Sequence, residues 1–218
     1  MIGPKKFECV VFDLDGVLVD SSSQHAQAFQ ELWAKVGIDG PDYADIAGLR
    51  SIDVIKKYIK GEQMDATRVD EWVEFKQRRA RELLVGAEIL FSDSREALER
   101  IIRMTSSMAI ATGASTVMAQ YAAQQLAPSR PFDAIVAAED VSRSKPNPEV
   151  FEKAIKRCGA TPGKSLIIED GAAGLAAALG SRAFVASVRS GLELHSERFL
   201  GRFESLDDLL RHLSERSH

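Results

Sequence analysis

Five short apolar runs constrain the fold of this chain more than any other feature: Val10-Val11-Phe12, Met108-Ala109-Ile110-Ala111, Ala134-Ile135-Val136-Ala137, Leu166-Ile167-Ile168 and Ala183-Phe184-Val185. Each is too short for a buried helix and has the continuous aliphatic character of a strand covered on both faces. Helical signals lie between them. Asp93-Ser94-Arg95-Glu96 resembles a capping box, followed by an apolar face of Ala97, Leu98, Ile101 and Ile102. Ser115 to Leu126 reads as a helix, as does Pro148 to Cys158, with proline near its first turn and Gly159 at its end. Ala172 to Leu179 is a further helix, and Leu206 to Leu213 an amphipathic closing one. Strands alternating with helices predict right-handed crossovers and an α/β fold, its mainly parallel sheet covered on both faces.

The stretch from Asp20 to about Ala87 breaks this alternation. Ala26, Phe29, Trp33 and Val36 follow a helical spacing, as do Ile52, Ile55 and Ile59, and more loosely Val69, Trp72, Phe75 and Leu83. Gly37, Gly40-Pro41 and Gly61 punctuate it. The expectation is a catalytic core of residues 1–19 and 88–218 with a helical insertion at 20–87, in which Trp33 and Trp72 are core. Lys76, Arg78, Arg79 and Arg81 are expected on a solvated helix face, with Lys76 the one able to reach a substrate anion.

The chain has 218 residues, 45% of them hydrophobic and 28% charged, with a net charge of −4. That composition suits one substantial core and supplies no basic footprint for nucleic acid; Lys5-Lys6 is too short for a basic arm. No apolar run approaches the roughly 20 residues of a membrane helix, and Asp13 and Asp15 interrupt the only apolar stretch that a leader would use. Cys9 and Cys158 are expected as small buried hydrophobes rather than a disulfide. A cytoplasmic protein is expected, a monomer or weak homodimer, with neither nucleic-acid nor membrane partners.

Four of the strands end in chemistry. The first gives Asp13 and Asp15, the second Thr112-Gly113-Ala114-Ser115, the third is followed by Ser144-Lys145-Pro146-Asn147-Pro148, and the fourth gives Glu169-Asp170-Gly171. In an open α/β sheet such ends share one ligand-binding rim. The set fits phosphoryl transfer through a covalent aspartate. Asp13 can attack phosphorus, while Thr112, the amides of Gly113 and Ala114, and Lys145 hold the equatorial oxygens. Asp13, Asp170 and the backbone carbonyl of Asp15 can hold Mg²⁺, with Glu169 a further partner directly or through water. Asp15 can protonate the leaving oxygen and then activate water.

In order and type, these residues resemble the haloacid dehalogenase superfamily. Its Asp-x-Asp-x-Thr/Val motif is matched by Asp13-Leu14-Asp15-Gly16-Val17, its strand-end Thr/Ser by Thr112, its lysine motif by Lys145-Pro146-Asn147-Pro148 and its acidic motif by Glu169-Asp170. Asp20-Ser21-Ser22-Ser23-Gln24-His25 is similar to the Asp-Ser-x-x-x-His of the phosphoglycolate phosphatase and β-phosphoglucomutase branch. The resemblance implies a Rossmann-like three-layer core, Mg²⁺, an aspartyl-phosphate intermediate, a small helical cap and a small phosphorylated metabolite such as a phosphosugar or phosphoglycolate. It also implies cap contacts to substrate from His25 and from Arg50 in Gly48-Leu49-Arg50. Departures lie at Gly171, where the branch often has Ser, at Ser22 and Ser23, where an acidic residue is frequent, and at Phe91-Ser92-Asp93, where Pro-Gly is usual. A phosphosugar mutase is the alternative on the same core. Asp15 and Asp170 speak against a metal-free dehalogenase. The helical insertion speaks against a phospho-acceptor receiver domain.

Overall fold

The computed structural model describes residues 7–59 and 66–215. Gly61 and Lys5-Lys6 lie outside them. Six strands, β1 (Phe7–Phe12), β2 (Thr105–Ala111), β3 (Ala134–Val136), β4 (Ser165–Glu169), β5 (Phe184–Val188) and β6 (Phe199–Phe203), form one sheet in the order β3-β2-β1-β4-β5-β6. Every pairing is parallel. The helices are α1 (Ser22–Val36), α2 (Ser51–Tyr58), α3 (Ala66–Leu84), α4 (Ser94–Met104), α5 (Thr116–Leu126), α6 (Glu149–Arg157), α7 (Ala172–Gly180) and α8 (Leu206–Glu215). Among the described residues no helix is long and apolar enough to cross a membrane.

The core is a three-layer Rossmann-like α/β fold, and strand alternation builds it. Val10 and Phe12 of β1, Met108 and Ile110 of β2, and Leu166 and Ile168 of β4 face one side, against α4, α5 and α8. Cys9 and Val11, Ala109 and Ala111, and Ile167 face the other, against α6 and α7. Both faces are buried, which is why these strands carry runs of aliphatic residues instead of alternating with polar ones. Cys9 and Cys158 are free thiols within this packing.

Three features differ from the sequence reading. Strand β2 begins at Thr105, directly after α4, because its polar start is satisfied within the sheet: the hydroxyl of Thr105 donates to the Phe7 carbonyl and that of Ser107 to the Glu8 carbonyl. Strand β6 was not expected. Its residues Phe199-Leu200-Gly201-Arg202-Phe203 form an irregular edge: Val185 and Ala186 of β5 pair with Phe199 and Gly201, which leaves Leu200 as an extra residue in β6, and Gly201 has φ +135°. Asp93 does not close a capping box on α4. Its carboxylate accepts from Arg189 and from the Leu206 amide, so it serves the N-terminus of α8.

Helices α1, α2 and α3 bury a cluster of their own, containing Phe29, Leu32, Trp33, Val36, Ile46, Val54, Ile55, Ile59, Val69 and Trp72. Gly37, left-handed at φ 78°, ends α1 by returning its amide to the Trp33 carbonyl. The chain leaves the sheet and comes back through one paired crossing: Val19 bridges Leu90 in antiparallel sense, and the Asp20 amide donates to the Ile89 carbonyl at 2.6 Å. The last turn of α3 reaches the sheet side, where Leu84 joins the core cluster.

Candidate active site

The carboxyl ends of β1, β2 and β4 and the loop after β3 converge on Asp13. Its amide continues the sheet by donating to the Ile168 carbonyl, so the side chain stands at the rim and is buried. Lys145 Nζ, equally buried, lies 2.5 Å from Asp13 Oδ1 and 2.6 Å from Glu169 Oε1. Glu169 Oε2 accepts the amides of Asp170 and Gly171, each at 2.7 Å. A Cβ on Gly174 would stand 1.6 Å from Glu169 Oε1, so only glycine in α7 leaves room for this carboxylate. Burial opposes the charge of Lys145, but Asp13 and Glu169 overcome it and push its pKa up.

One cation does not balance the cluster. Burial, with repulsion from Glu169, Asp170 and Asp15, drives the Asp13 pKa well up despite Lys145. Burial and the Glu169 charge push Asp170 up to about 7. Oxygens of Asp13, Glu169 and Asp170 fall within 4.8 Å of one another. Glu169 spends its oxygens on Lys145 and two amides, which leaves Asp13 and Asp170 as the better donors to a metal. An all-oxygen, charge-rich set short of positive charge suits a small hard cation. Gly16 completes the floor: with φ +84°, it brings backbone so near that a Cβ would lie 2.0 Å from Asp170 Oδ2.

Asp15 faces away from this cluster toward the helical insertion. Ser21 Oγ donates to its Oδ1, and His25 Nε2 lies 3.5 Å from the same atom. Burial opposes ionisation of Asp15, yet the charge and hydrogen bond of His25 and the hydroxyl of Ser21 hold its pKa below the usual value. Ser21 occupies the N-cap position of α1 but makes no cap bond, because its hydroxyl serves Asp15. Lys76 Nζ lies 2.9 Å from His25 Nδ1 and 4.5 Å above the Phe29 ring. Lys76 therefore departs from the solvated face expected for α3; it is 5% exposed, and burial lowers its pKa to about 8. Arg78 is on that face, 59% exposed, while Arg79 is held by Glu31.

Thr112, at the end of β2, is not the cap of α5; Ser115 holds that position. The Thr112 Oγ1 accepts the Ala114 amide at 3.0 Å, shaping the turn that carries Gly113 and Ala114. The loop before α2 rests on this turn, so that a Cβ at Gly113 would meet the Gly48 carbonyl at 2.5 Å. Arg50 is not brought to the space beside Asp15. Its guanidinium donates to the carbonyls of Val141 and Ser142, at 2.5 and 3.2 Å, and to both oxygens of Asp53.

That space is tight, about 30 Å³, room for little more than ordered water as the helices now sit. Asp15, His25, Lys76, Gly113 and Ala114 line it, together with Ser115, which the strand-end run contains without a role, and Tyr43 and Gln77, which sequence reasoning did not single out. Ser21 was equally unassigned, although its place four residues before His25 within the quoted Asp-Ser-x-x-x-His signature is a readable signal. Nothing in the pattern around Tyr43 or Gln77 marks them.

A parallel α/β core with a carboxylate-bearing strand end, a buried lysine, an acidic cluster and an inserted helical layer defines a Rossmann-type hydrolase. The haloacid dehalogenase-like hydrolase model matches residues 7–181, and the chain belongs to that family. It is 27% identical over 181 residues to fructose-1-phosphate phosphatase YqaB of Escherichia coli K12, covering 80% of this chain and 92% of that one. It is 27% identical over 175 residues to a phosphorylated carbohydrates phosphatase of Thermotoga maritima, covering 78% and 80%. The crystal structure of CbbY from Rhodobacter sphaeroides in complex with phosphate superposes with a TM-score of 0.78 at 24% identity, over 95% of this chain and 99% of that one.

Proposed function

We propose that this enzyme is a Mg²⁺-dependent phosphatase of small phosphorylated carbohydrates that works through an aspartyl-phosphate on Asp13. The observation that carries the reading is the division of labour at the end of β1: Asp13 is buried against Lys145 and beside Asp170, whereas Asp15 turns to the lined space under the helices. Asp13 attacks phosphorus, the bond to the leaving oxygen breaks, and Asp15, whose depressed pKa the negative charge of the substrate must first raise so that it takes up a proton, delivers that proton to the leaving oxygen. Water then attacks the phospho-aspartate, giving its proton to Asp15 and releasing phosphate. Lys145, the Thr112 hydroxyl and the amides of Gly113 and Ala114 hold the phosphoryl oxygens as charge shifts onto them. Asp13, Asp170 and the Asp15 carbonyl would hold Mg²⁺, with Glu169 orienting Lys145 and bracing the Asp170 turn. When bound, the metal offsets repulsion between anionic nucleophile and anionic substrate. The helical segment 20–87 is the lid over a core of residues 1–19 and 88–218, shutting out bulk water and contacting the leaving group through His25 and Lys76.

The test is phosphate release from p-nitrophenyl phosphate and from fructose 1-phosphate with Mg²⁺. The wild type is expected to turn over both, and intact-mass measurement after rapid acid quench should find one phosphoryl group on the protein. Asp13→Asn should lose both signals. Turnover by Asp13→Asn at the wild-type rate would remove Asp13 from the role of nucleophile.

A further inference from the structure

We infer that Arg189 is a positioning residue for Asp15: from the end of β5 it holds both segments that join the helical insertion to the core, and so fixes the turn that aims the Asp15 carboxyl at the leaving oxygen. This rests on the phosphatase reading above and goes beyond it by assigning proton delivery a support outside the site.

Arg189 directly follows β5 and is left-handed at φ 54°. Such backbone is uncommon for a residue with a side chain and persists where the surrounding contacts impose it. Its amide donates to the Phe203 carbonyl at 2.9 Å, which ties the residue to β6. One arm of the guanidinium donates to the Val17 carbonyl at 3.1 Å and the other to Asp93 Oδ1, while Cζ stands 3.9 Å from the centre of the Phe91 ring. Val17 lies on the segment that leaves the core, Phe91 and Asp93 on the one that returns. The second oxygen of Asp93 accepts the Leu206 amide at 2.9 Å, so the chain of contacts ends on α8. Phe91 and Asp93 are also positions where this chain departs from Pro-Gly, and Arg189 gives both of them a task.

The path from Val17 to Asp15 is short. In the turn at 14–19 the Leu14 carbonyl accepts the amides of Val17, Leu18 and Val19, and the Gly16 amide donates to the Val19 carbonyl at 2.8 Å. Val19 in turn bridges both Asp15 and Leu90. These bonds make the turn shift as one piece. Val17 is fully buried, and a buried carbonyl that loses a charged donor draws its backbone toward another partner. Asp13 does not follow such a shift, because its amide is held by the Ile168 carbonyl of the sheet. The result is a change in the spacing of Asp15 from Asp13, and a misplacement of about 1 Å is enough to slow chemistry. Arg189 does not line the space beside Asp15, so its effect runs through the turn.

The experiment compares kcat/KM for p-nitrophenyl phosphate and phenyl phosphate, with Mg²⁺, in the wild type, Arg189→Met, Arg189→Lys and Phe91→Leu. The p-nitrophenolate ion leaves without a proton, whereas phenolate, the stronger base, depends on the acid. Arg189→Met should therefore lower kcat/KM for phenyl phosphate by on the order of tenfold more than for p-nitrophenyl phosphate. Arg189→Lys keeps a charge for Asp93 but lacks the planar fork that also reaches Val17 and covers Phe91, and should fall between Arg189→Met and the wild type. Phe91→Leu, which leaves the guanidinium in place, should move the ratio of the two esters in the same direction by on the order of threefold. Amide hydrogen exchange in Arg189→Met should quicken at Leu18 and Val19 and stay unchanged in β1. Equal losses on the two esters in Arg189→Met make Arg189 a structural residue only and overturn the assignment. If Arg189→Met does not fold, an unchanged ratio in both Arg189→Lys and Phe91→Leu overturns it. Failure of the wild type to hydrolyse p-nitrophenyl phosphate overturns the phosphatase reading, and this inference with it.

Discussion

At the scale of single residues, buried charge is tolerated in this site only where a specific neighbour permits it. Lys145 is held between Asp13 and Glu169, and Glu169 fits because position 174 has no side chain. Gly174→Ala places a methyl group where the Glu169 carboxylate stands, so Glu169 must leave Lys145 or the helix must shift. The expected result is a fall in kcat of tenfold or more and a destabilisation of about 1–3 kcal/mol in urea unfolding. Wild-type kcat in Gly174→Ala would show that Glu169 does not position Lys145. Lys76 gives the opposite balance. Its pKa of about 8 in the fold lies below its ordinary 10.5, so the folded state holds the proton less well than the unfolded chain. The cost is present in full below pH 8 and disappears as pH rises toward 10.5. Lys76→Met should therefore raise stability at pH 7 by on the order of 1–3 kcal/mol, while lowering activity, and the gain should shrink by pH 10. A loss of stability at pH 7 would mean that the contacts to His25 and Phe29 outweigh burial.

At the scale of elements, Arg50 ties the helical insertion to the core. It joins Asp53, at the start of α2, to the loop after β3 through the carbonyls of Val141 and Ser142. The insertion has its own apolar cluster and one paired crossing to the sheet, so it can move as a unit if that tie is cut. Arg50→Ala should lower kcat/KM by on the order of tenfold and speed amide hydrogen exchange in α2. Global stability should shift by less than about 1 kcal/mol. A large global loss with unchanged kcat/KM would make Arg50 a structural residue only. This role was not legible in the sequence, because the partners are backbone carbonyls some 90 positions away that no side-chain pattern encodes. Strands buried on both faces were legible, since hydrophobic continuity follows from their environment, as at Leu166-Ile167-Ile168. Edge strand β6 was not, because one half-exposed face permits Gly201 and Arg202. The polar start of β2 was hidden for a related reason: Thr105 and Ser107 look like loop until β1 supplies carbonyls for their hydroxyls.

At the scale of the whole molecule, the catalytic rim is a store of electrostatic stress that protons or a metal relieve. Asp13, Glu169 and Asp170 were readable as strand-end carboxylates, but their imbalance against one lysine depends on how closely the fold packs them. Asp170 titrates near pH 7 in the folded protein, against an ordinary value of 3.8, and Asp13 is shifted the same way. For both, the folded state binds protons more tightly than the unfolded chain. Their contribution to stability is complete below about pH 4; that of Asp170 is lost as pH rises through 7, and that of Asp13 is lost as pH rises through its own raised pKa. Asp15 has the opposite sign, its depressed pKa costing stability only as pH falls below the ordinary carboxylate range. In EDTA, thermal unfolding should therefore move to lower temperature between pH 5 and pH 8. Mg²⁺ should reverse the trend, because it competes with protons for Asp13 and Asp170. At a concentration of a hundred times its dissociation constant, it should stabilise the fold by about 2.7 kcal/mol at pH 8 and by less at pH 5. Asp170→Asn removes one of the repelling charges, so in EDTA it should unfold at a higher temperature than the wild type at pH 8, with the Mg²⁺ increment largely gone. If the EDTA-treated protein is as stable at pH 8 as at pH 5, or if Mg²⁺ stabilises Asp170→Asn as much as the wild type, the metal is not held where this carboxylate cluster places it.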